Sequence, residues 1–285
     1  MIIAVTGAAG FLGAQVAASL RAAGHEVRGL DVVAPAASRV AVVDLRDPQA
    51  TRAALEGCDG VAHLAGYPRA GDHAPYDVFT TNTAISFSVL DAAVDAGVTT
   101  LVYVSSISVI GYPFFVQPIP PSYLPLDEGI DSIPQDPYGL SKLVGEQIID
   151  AAVARAGGKL AAVSLRFPAL HTPESFAREM PATFADGKDV RLLWSYIDTR
   201  DAADAVAAAF ARPNTGHTKL FLAAPDTFNE RPTAELLAEH FPGTPLRREI
   251  AGHDSLMDSS AAISYLGFAP GRSWRDYDYD YGTER

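Results

Sequence analysis

Tyr138 and Lys142, four residues apart in the stretch PYGLSK (137–142), place a phenol and an ammonium at helical spacing just after a proline. Proline has the fixed φ that suits the first position of a helix. Residues i and i+4 then lie one above the other on a single face. An ammonium beside a phenol favours the phenolate and lowers its pKa from about 10, which lets a tyrosine act as acid or base near neutral pH. A solvated surface pair is the competing reading, and the pair alone does not choose between them.

A second constellation opens the chain. VTGAAGFLG places Gly7, Gly10 and Gly13 directly after an apolar run, with Phe11 and Leu12 inside the spacing. The dinucleotide fingerprint is G-x-G-x-x-G, and this G-x-x-G-x-x-G is a variant of it. Glycine allows the tight turn and the close approach of backbone to a pyrophosphate, and the N-terminus of the following helix attracts the phosphates. Asp31 ends the second apolar run, EVRGLD, at the distance expected of the acid that binds an adenosine ribose. A carboxylate there accepts from the 2′- and 3′-hydroxyls and repels a 2′-phosphate, and the nearest following arginine is Arg39. NAD is therefore expected in preference to NADP. The alternative for Asp31 is a turn or helix cap. Asp44, with Leu45 after it, occupies a similar strand end and is a second candidate contact, to the adenine. DLRDP there is also a good helix start.

These residues need a scaffold, and the rest of the chain describes one. Short β-branched runs (IIAVT, EVRGLD, VAVVD, GVAHLA, TLVYVSS, LAAVSLR) alternate with alanine-rich helical stretches beginning near Phe11, Pro48, Tyr76 and Tyr138. Such alternation predicts right-handed βαβ units in an α/β doubly wound parallel sheet of Rossmann type. Seven prolines from Gly111 to Pro137, the last included, forbid a helix and predict a long ordered loop or lid. After Arg166 the alternation falters, then returns through a helix near Asp201 and the strand TKLFLAA. The expected division is a nucleotide-binding domain over 1–166 and 197–224, with a small discontinuous substrate lobe over 167–196 and 225–285. The acidic, tyrosine-rich tail RDYDYDYGTER is expected to be a solvated terminus.

Composition narrows the classes. A net charge of −12 argues against nucleic acid or an anionic membrane as partner. One cysteine, Cys58, excludes an intramolecular disulfide framework and a cysteine-based zinc site, and no metal is expected. An apolar run long enough to span a membrane is missing, and the chain enters its first strand with no basic leader, which predicts a cytoplasmic, reduced protein.

Gly7, Gly10, Gly13, Asp31, HLAG (63–66), YVSSISVIG (103–111) and YGLSK (138–142), taken in order, resemble the extended short-chain dehydrogenase/reductases, the NAD-dependent epimerase/dehydratase group. The resemblance implies that Tyr138 exchanges a proton with a substrate hydroxyl or carbonyl. Lys142 would hold the nicotinamide ribose and keep the phenol acidic. The family's serine, counted back five residues from Gly111, falls on Ser106, with Ser105 as the better structural serine and a cofactor neighbour. Leu64, Ala65 and Gly66 would pass beneath the cofactor, with His63 packed, and Pro168 of LRFPAL would shape the turn covering the nicotinamide. Asn82 matches a family asparagine near the active site, with helix support as an equal alternative. Asp201, in YIDTRDAADA, is expected to cap a helix.

Nucleotide-sugar enzymes of this family commonly carry a diphosphate-gripping arginine two positions before the aromatic of that last motif. Here Trp194 stands there, with Arg191 a turn earlier. With the short C-terminal lobe, this favours a smaller, sugar-like or polyol substrate. The implied activity is NAD-dependent hydride transfer between a secondary alcohol and its ketone. Epimerisation or dehydration with retained NAD is the alternative, and a non-catalytic NAD sensor the lesser one. The expected partner is a small-molecule substrate, and a homodimer is compatible with the pattern.

Overall fold

The computed structural model describes residues 1–277 apart from positions 37, 70, 72, 119, 177, 179–187, 213 and 214. Residues 278–285 of the predicted solvated tail lie outside the described residues, whereas Trp274–Asp276 form a 3₁₀ turn closed by a Ser273 capping box.

Six strands and their crossovers follow the sequence closely: β1 (Ile2–Thr6), α1 (Phe11–Ala22), β2 (Glu26–Asp31), β3 (Val40–Val42), α2 (Pro48–Leu55), β4 (Gly60–His63), α3 (Pro75–Asp95), β5 (Thr100–Ser106), α4 (Pro137–Arg155) and β6 (Ala161–Phe167). The chain continues through β7 (Ala169–His171), β8 (Tyr196–Asp198), α5 (Thr199–Phe210), β9 (His217–Phe221), α6 (Thr233–His240) and α7 (Ser260–Leu266). The main sheet is parallel, in the order β3-β2-β1-β4-β5-β6-β9. A separate parallel pair, β7 and β8, is joined in register from Ala169 with Tyr196 to His171 with Asp198.

Side chains two apart on a strand share a face, and the core divides accordingly. Ile3, Val5, Val102, Val104, Val163 and Leu165 join Leu12, Val16 and Leu20 of α1 and Ala202 and Val206 of α5. Ala4, Val61, Leu101 and Tyr103 pack on the opposite face with Leu55 of α2, Val89 of α3 and Ile149 of α4. Each layer buries one face of a sheet that has no wet side. Strand order reverses between β1 and β4, and in open parallel sheets the crevice at the carboxyl ends beside such a switch point receives ligands.

Aspartates start three of the helices. Asp47 caps α2 through Gln49 and Ala50, Asp136 caps α4 through Tyr138 and Gly139, and Asp198 caps α5 through Arg200. The role expected of Asp201 therefore belongs to Asp198. Asp201, in the first turn of α5, instead accepts from the backbone N–H groups of Gly271 and Arg272 and pairs with the Arg272 guanidinium, tying the C-terminal segment to the helix.

Among the described residues, the proline-rich segment after β5 contains no helix beyond the 3₁₀ turn Ile107–Ile110 that precedes it. It is anchored rather than loose. Leu124 and Leu126 are fully buried, and their backbones exchange hydrogen bonds with Pro245, Arg247, Leu256 and Asp258.

Candidate active site

The glycine turn is built for close backbone approach. Gly7 has φ +73°, a conformation that glycine adopts at no steric cost. A Cβ on Gly13 would stand 2.0 Å from the Gly7 carbonyl oxygen, so α1 can meet β1 only through a bare Cα. Gly10 caps α1 with extended backbone and no side-chain acceptor, leaving the first-turn N–H groups without a capping side chain. Asp31 Oδ2 accepts from the Ala9 N–H at 2.9 Å and Oδ1 from Val32 at 2.7 Å, which fixes this acid against the glycine turn. Leu12 and Leu45 are buried, and Phe11 is exposed on the outer turn of α1. Asp44 is exposed and gripped by Arg46 through Nε at 2.9 Å and Nη2 at 2.7 Å, which holds its carboxyl below the usual carboxylate range.

Thr6 sets the floor under this turn. Its hydroxyl accepts from the Leu64 and Ala65 N–H groups, each at 3.1 Å, so its own proton goes to His63 Nδ1 at 2.8 Å. His63 Nε2–H then donates to Ser86 at 3.3 Å. Burial pushes the imidazole down to about 3, so His63 is a neutral packing group. Gly66 turns at φ +141° against Asn82, whose amide accepts from the Tyr67 N–H and donates to the Tyr67 carbonyl and to Ser141 Oγ. Asn82 thereby bridges the loop after β4 to α4.

On α4 the buried positions run Tyr138, Lys142, Gly145, Glu146, Ile149 and Ala152, a helical stripe that is polar at its N-terminal half and apolar beyond. Ser106 ends β5 beside it. Its hydroxyl lies beside the Tyr138 phenol, donates to Ser108 Oγ at 3.0 Å and accepts from the Ser108 N–H. Ser105 points elsewhere and donates to Glu146 Oε1 at 2.7 Å. Pro168 is buried where the chain leaves β6 for β7.

The expected depression of the Tyr138 pKa is not found. Burial pushes the phenol up to about 12, with the nearby Asp136 charge adding to the rise, and only the Ser106 hydrogen bond opposes it. Lys142 is also buried and is pushed down to about 8. Its Nζ donates to the Val104 carbonyl at 2.8 Å and stands 5.7 Å from the Tyr138 ring centroid. Desolvation is the largest cause of the shift in both groups.

Pattern reading missed Thr6, Ser108, Glu146 and Arg166. Ser108 was detectable in principle, because a serine two residues after Ser106 is the spacing of a local hydroxyl–backbone turn. Glu146 was detectable too, one further turn along the Tyr138–Lys142 face. Among the described residues no group of three or more His, Cys, Asp or Glu side chains is placed to hold a metal ion, and no helix is long and apolar enough to cross a membrane.

Residues 3–224 match the NAD dependent epimerase/dehydratase family, and the chain belongs to it. Membership makes NAD its cofactor, and the glycine cradle fits a dinucleotide. Among curated relatives, a UDP-glucose 4-epimerase of Streptomyces lividans is 27% identical over 311 residues, covering 94% of this chain and 91% of the relative. A uronate dehydrogenase of Pseudomonas putida is 29% identical over 226 residues (76% and 74%). An L-arabinose 1-dehydrogenase (NAD(P)(+)) of Haloferax volcanii is 31% identical over 205 residues (67% and 76%). Among solved structures, a UDP-glucose-4-epimerase from Stenotrophomonas maltophila with bound NAD and formylated UDP-arabinopyranose superposes with TM-score 0.72 at 25% identity, covering 97% of this chain and 95% of that one.

Proposed function

We propose that this chain is an NAD-dependent oxidoreductase acting on a secondary alcohol, or its ketone, in a sugar-like or polyol substrate. The observation that carries the reading is one buried phenol, Tyr138, with the buried Lys142 ammonium one turn on along α4 and Ser106 beside it at the carboxyl end of β5. Gly7, Gly10 and Gly13 with the first turn of α1 would hold the pyrophosphate, and Asp31 the adenosine ribose. NAD, when bound, supplies the hydride acceptor or donor.

The protein's part is the proton. Tyr138 Oη takes it from the substrate hydroxyl during oxidation and returns it during reduction. Ser106 Oγ would turn its proton from Ser108 Oγ to the reacting oxygen and fix its position, while the Ser108 N–H holds Ser106 Oγ from the other side. Lys142 favours the phenolate once the site is filled and binds the nicotinamide ribose. His63, neutral and enclosed, holds the β4 loop and takes no proton.

Substrate size is read from the lobe. Trp194, where a nucleotide-sugar enzyme commonly places arginine, is 3% exposed and packs edge-on to Phe241, its backbone left-handed at φ +51°. It presents no charge to a diphosphate. That supports a free sugar, sugar acid or polyol as substrate. The full-length similarity to an epimerase keeps a second reading, in which the ketone is reduced again on its other face. Incubation with aldoses, uronates, polyols and UDP-sugars separates the two. Net NADH formation with an unlinked sugar or sugar acid supports the first, and stereochemical inversion of a UDP-sugar without net NADH replaces it with the second.

A further inference from the structure

Glu146 lies one turn beyond Lys142 on the same face of α4, and its side chain is fully buried. A buried carboxylate is costly unless it is paired and hydrogen-bonded. Here Arg166 of β6 binds it with two parallel donors, Nε to Oε1 at 2.9 Å and Nη2 to Oε2 at 2.7 Å, while Ser105 of β5 donates to Oε1. The guanidinium in turn lies 5.1 Å from the ring centroid of Phe221 on β9. Apolar residues of similar volume often join helix and sheet with no loss of stability. Charge at this place therefore asks for a use besides packing.

Lys142 is that use. Its ammonium is buried, with one hydrogen-bond acceptor, the Val104 carbonyl, and the Tyr103 ring 4.9 Å away. The titratable and charged groups facing it are Tyr138 and Glu146 on α4, Tyr103 on β5, His63 on β4 and Arg166 on β6. The phenols are protonated and the imidazole is neutral, so Glu146 is the one anion in this set. We propose that Glu146 is a positioning residue of the site, the counter-charge that keeps Lys142 an ammonium, with Arg166 and Ser105 holding the carboxylate in place. The proposal rests on the reading of Tyr138 and Lys142 as the reacting pair. Burial alone drives Lys142 towards the neutral amine, and Glu146 opposes it.

The chain has four lysines, at 142, 159, 188 and 219, so lysine labelled with ¹³C at Cε gives four resonances, and Lys142→Met assigns the one that matters. The Lys142 resonance should titrate at least about one pH unit lower in Glu146→Gln, because an attractive charge is lost and the unpaired Arg166 repels the ammonium. The alkaline limb of kcat should move down with it. Should Glu146→Gln fail to fold, Glu146→Gln/Arg166→Met leaves no lone buried charge, and its Lys142 resonance should still titrate below the wild-type value, by less. A purely structural role predicts a lower Tm with the Lys142 titration and the kcat limb unmoved, and that result overturns the proposal. The NMR titration needs no turnover. Full activity in Tyr138→Phe would remove the catalytic reading and leave this measurement standing.

Discussion

Lys142 Nζ lies 5.7 Å from the Tyr138 ring centroid, one helical turn away, and gives its hydrogen bond to the Val104 carbonyl rather than to the phenol. The two groups are neighbours held apart, and near neutral pH burial keeps the phenol protonated. Tyr138→Phe removes the hydroxyl and keeps the ring, including its edge contact with Phe114. Turnover should fall by about 10²–10⁴-fold, the usual worth of a positioned acid–base group, with NAD affinity little changed. Lys142→Met should weaken NAD binding as well. Steady-state kinetics and NADH fluorescence titration check both, and a folded Tyr138→Phe protein with most of its activity contradicts the mechanism.

Asp31 carries the cofactor prediction. One of its oxygens is tied to Ala9 and the other to Val32, so the carboxylate is held at the glycine turn before any ribose arrives. NAD should bind more tightly than NADP by roughly one to two orders of magnitude, from lost hydrogen bonds and charge repulsion worth a few kcal/mol. Asp31→Asn should shrink that ratio towards unity while keeping a side chain that can accept from Ala9. Calorimetric titration with both cofactors decides it, and equal affinities in the unmutated protein would show that Asp31 only braces the turn.

The parallel sheet, its helices and NAD as cofactor were legible because they rest on local patterns: short β-branched apolar runs, glycine spacing, and proline at helix starts. The resemblance puts the family's serine at Ser106 by its distance from Gly111, and the two serines differ in their partners, Ser108 for Ser106 and Glu146 for Ser105. The sign of the Tyr138 shift was not legible. It depends on how completely two side chains lose water, a property of tertiary packing rather than of an i,i+4 interval. The Glu146–Arg166 pair joins residues 20 apart through sheet packing, and no local pattern marks it.

Gly13 offers a steric test of the cradle. Its missing side chain lets α1 approach the Gly7 carbonyl, and an alanine Cβ would need backbone to move, since it would meet the Gly7 carbonyl carbon at 2.8 Å as well as its oxygen. Gly13→Ala should therefore be destabilising by several kcal/mol, in the range of severe overpacking, and should abolish NAD binding. Gly24→Ala is the control. Its surroundings are open but its φ is +86°, so only modest backbone strain is expected. Chemical denaturation of both variants makes the comparison, and similar losses would mean that α1 can shift freely.

Arg191 bears on substrate charge. It is exposed, with its guanidinium 4.6 Å from the Phe115 ring centroid, and Phe115 follows the Phe114 that edges against Tyr138. Arg200, Arg231, Arg247, Arg248, Arg272 and Arg275 each pair with a carboxylate, whereas the contact shown for Arg191 is a ring. If the substrate is a sugar acid, Arg191→Gln should raise its KM by roughly ten- to a hundredfold, the worth of a charge-assisted hydrogen bond. KM for the matching neutral sugar should stay within about twofold, a difference of ~0.4 kcal/mol. Equal effects on both would assign Arg191 to the shape of the loop.

His63 makes the protein sensitive to acid at a defined point. In the unfolded chain its imidazole takes a proton near its ordinary value of 6.5, while in the fold burial and the neighbouring Lys142 charge hold it down to about 3. Below pH 6.5 the unfolded state therefore binds a proton that the folded state refuses, and stability falls as pH drops through that window. The slope is about 1.4 kcal/mol per pH unit, so roughly 2 kcal/mol should be lost by pH 5. His63→Gln keeps polar atoms near Thr6 and Ser86 but cannot titrate. It should be less stable than the parent at pH 7.5, having given up a fitted ring, yet lose less on going to pH 5. His25 and His217 are also lowered by burial and contribute in both proteins, so the difference between the two pH dependences isolates His63. Urea denaturation at pH 7.5, 6.5, 5.5 and 5.0 measures it, and parallel curves would mean that His63 is hydrated enough to protonate in place.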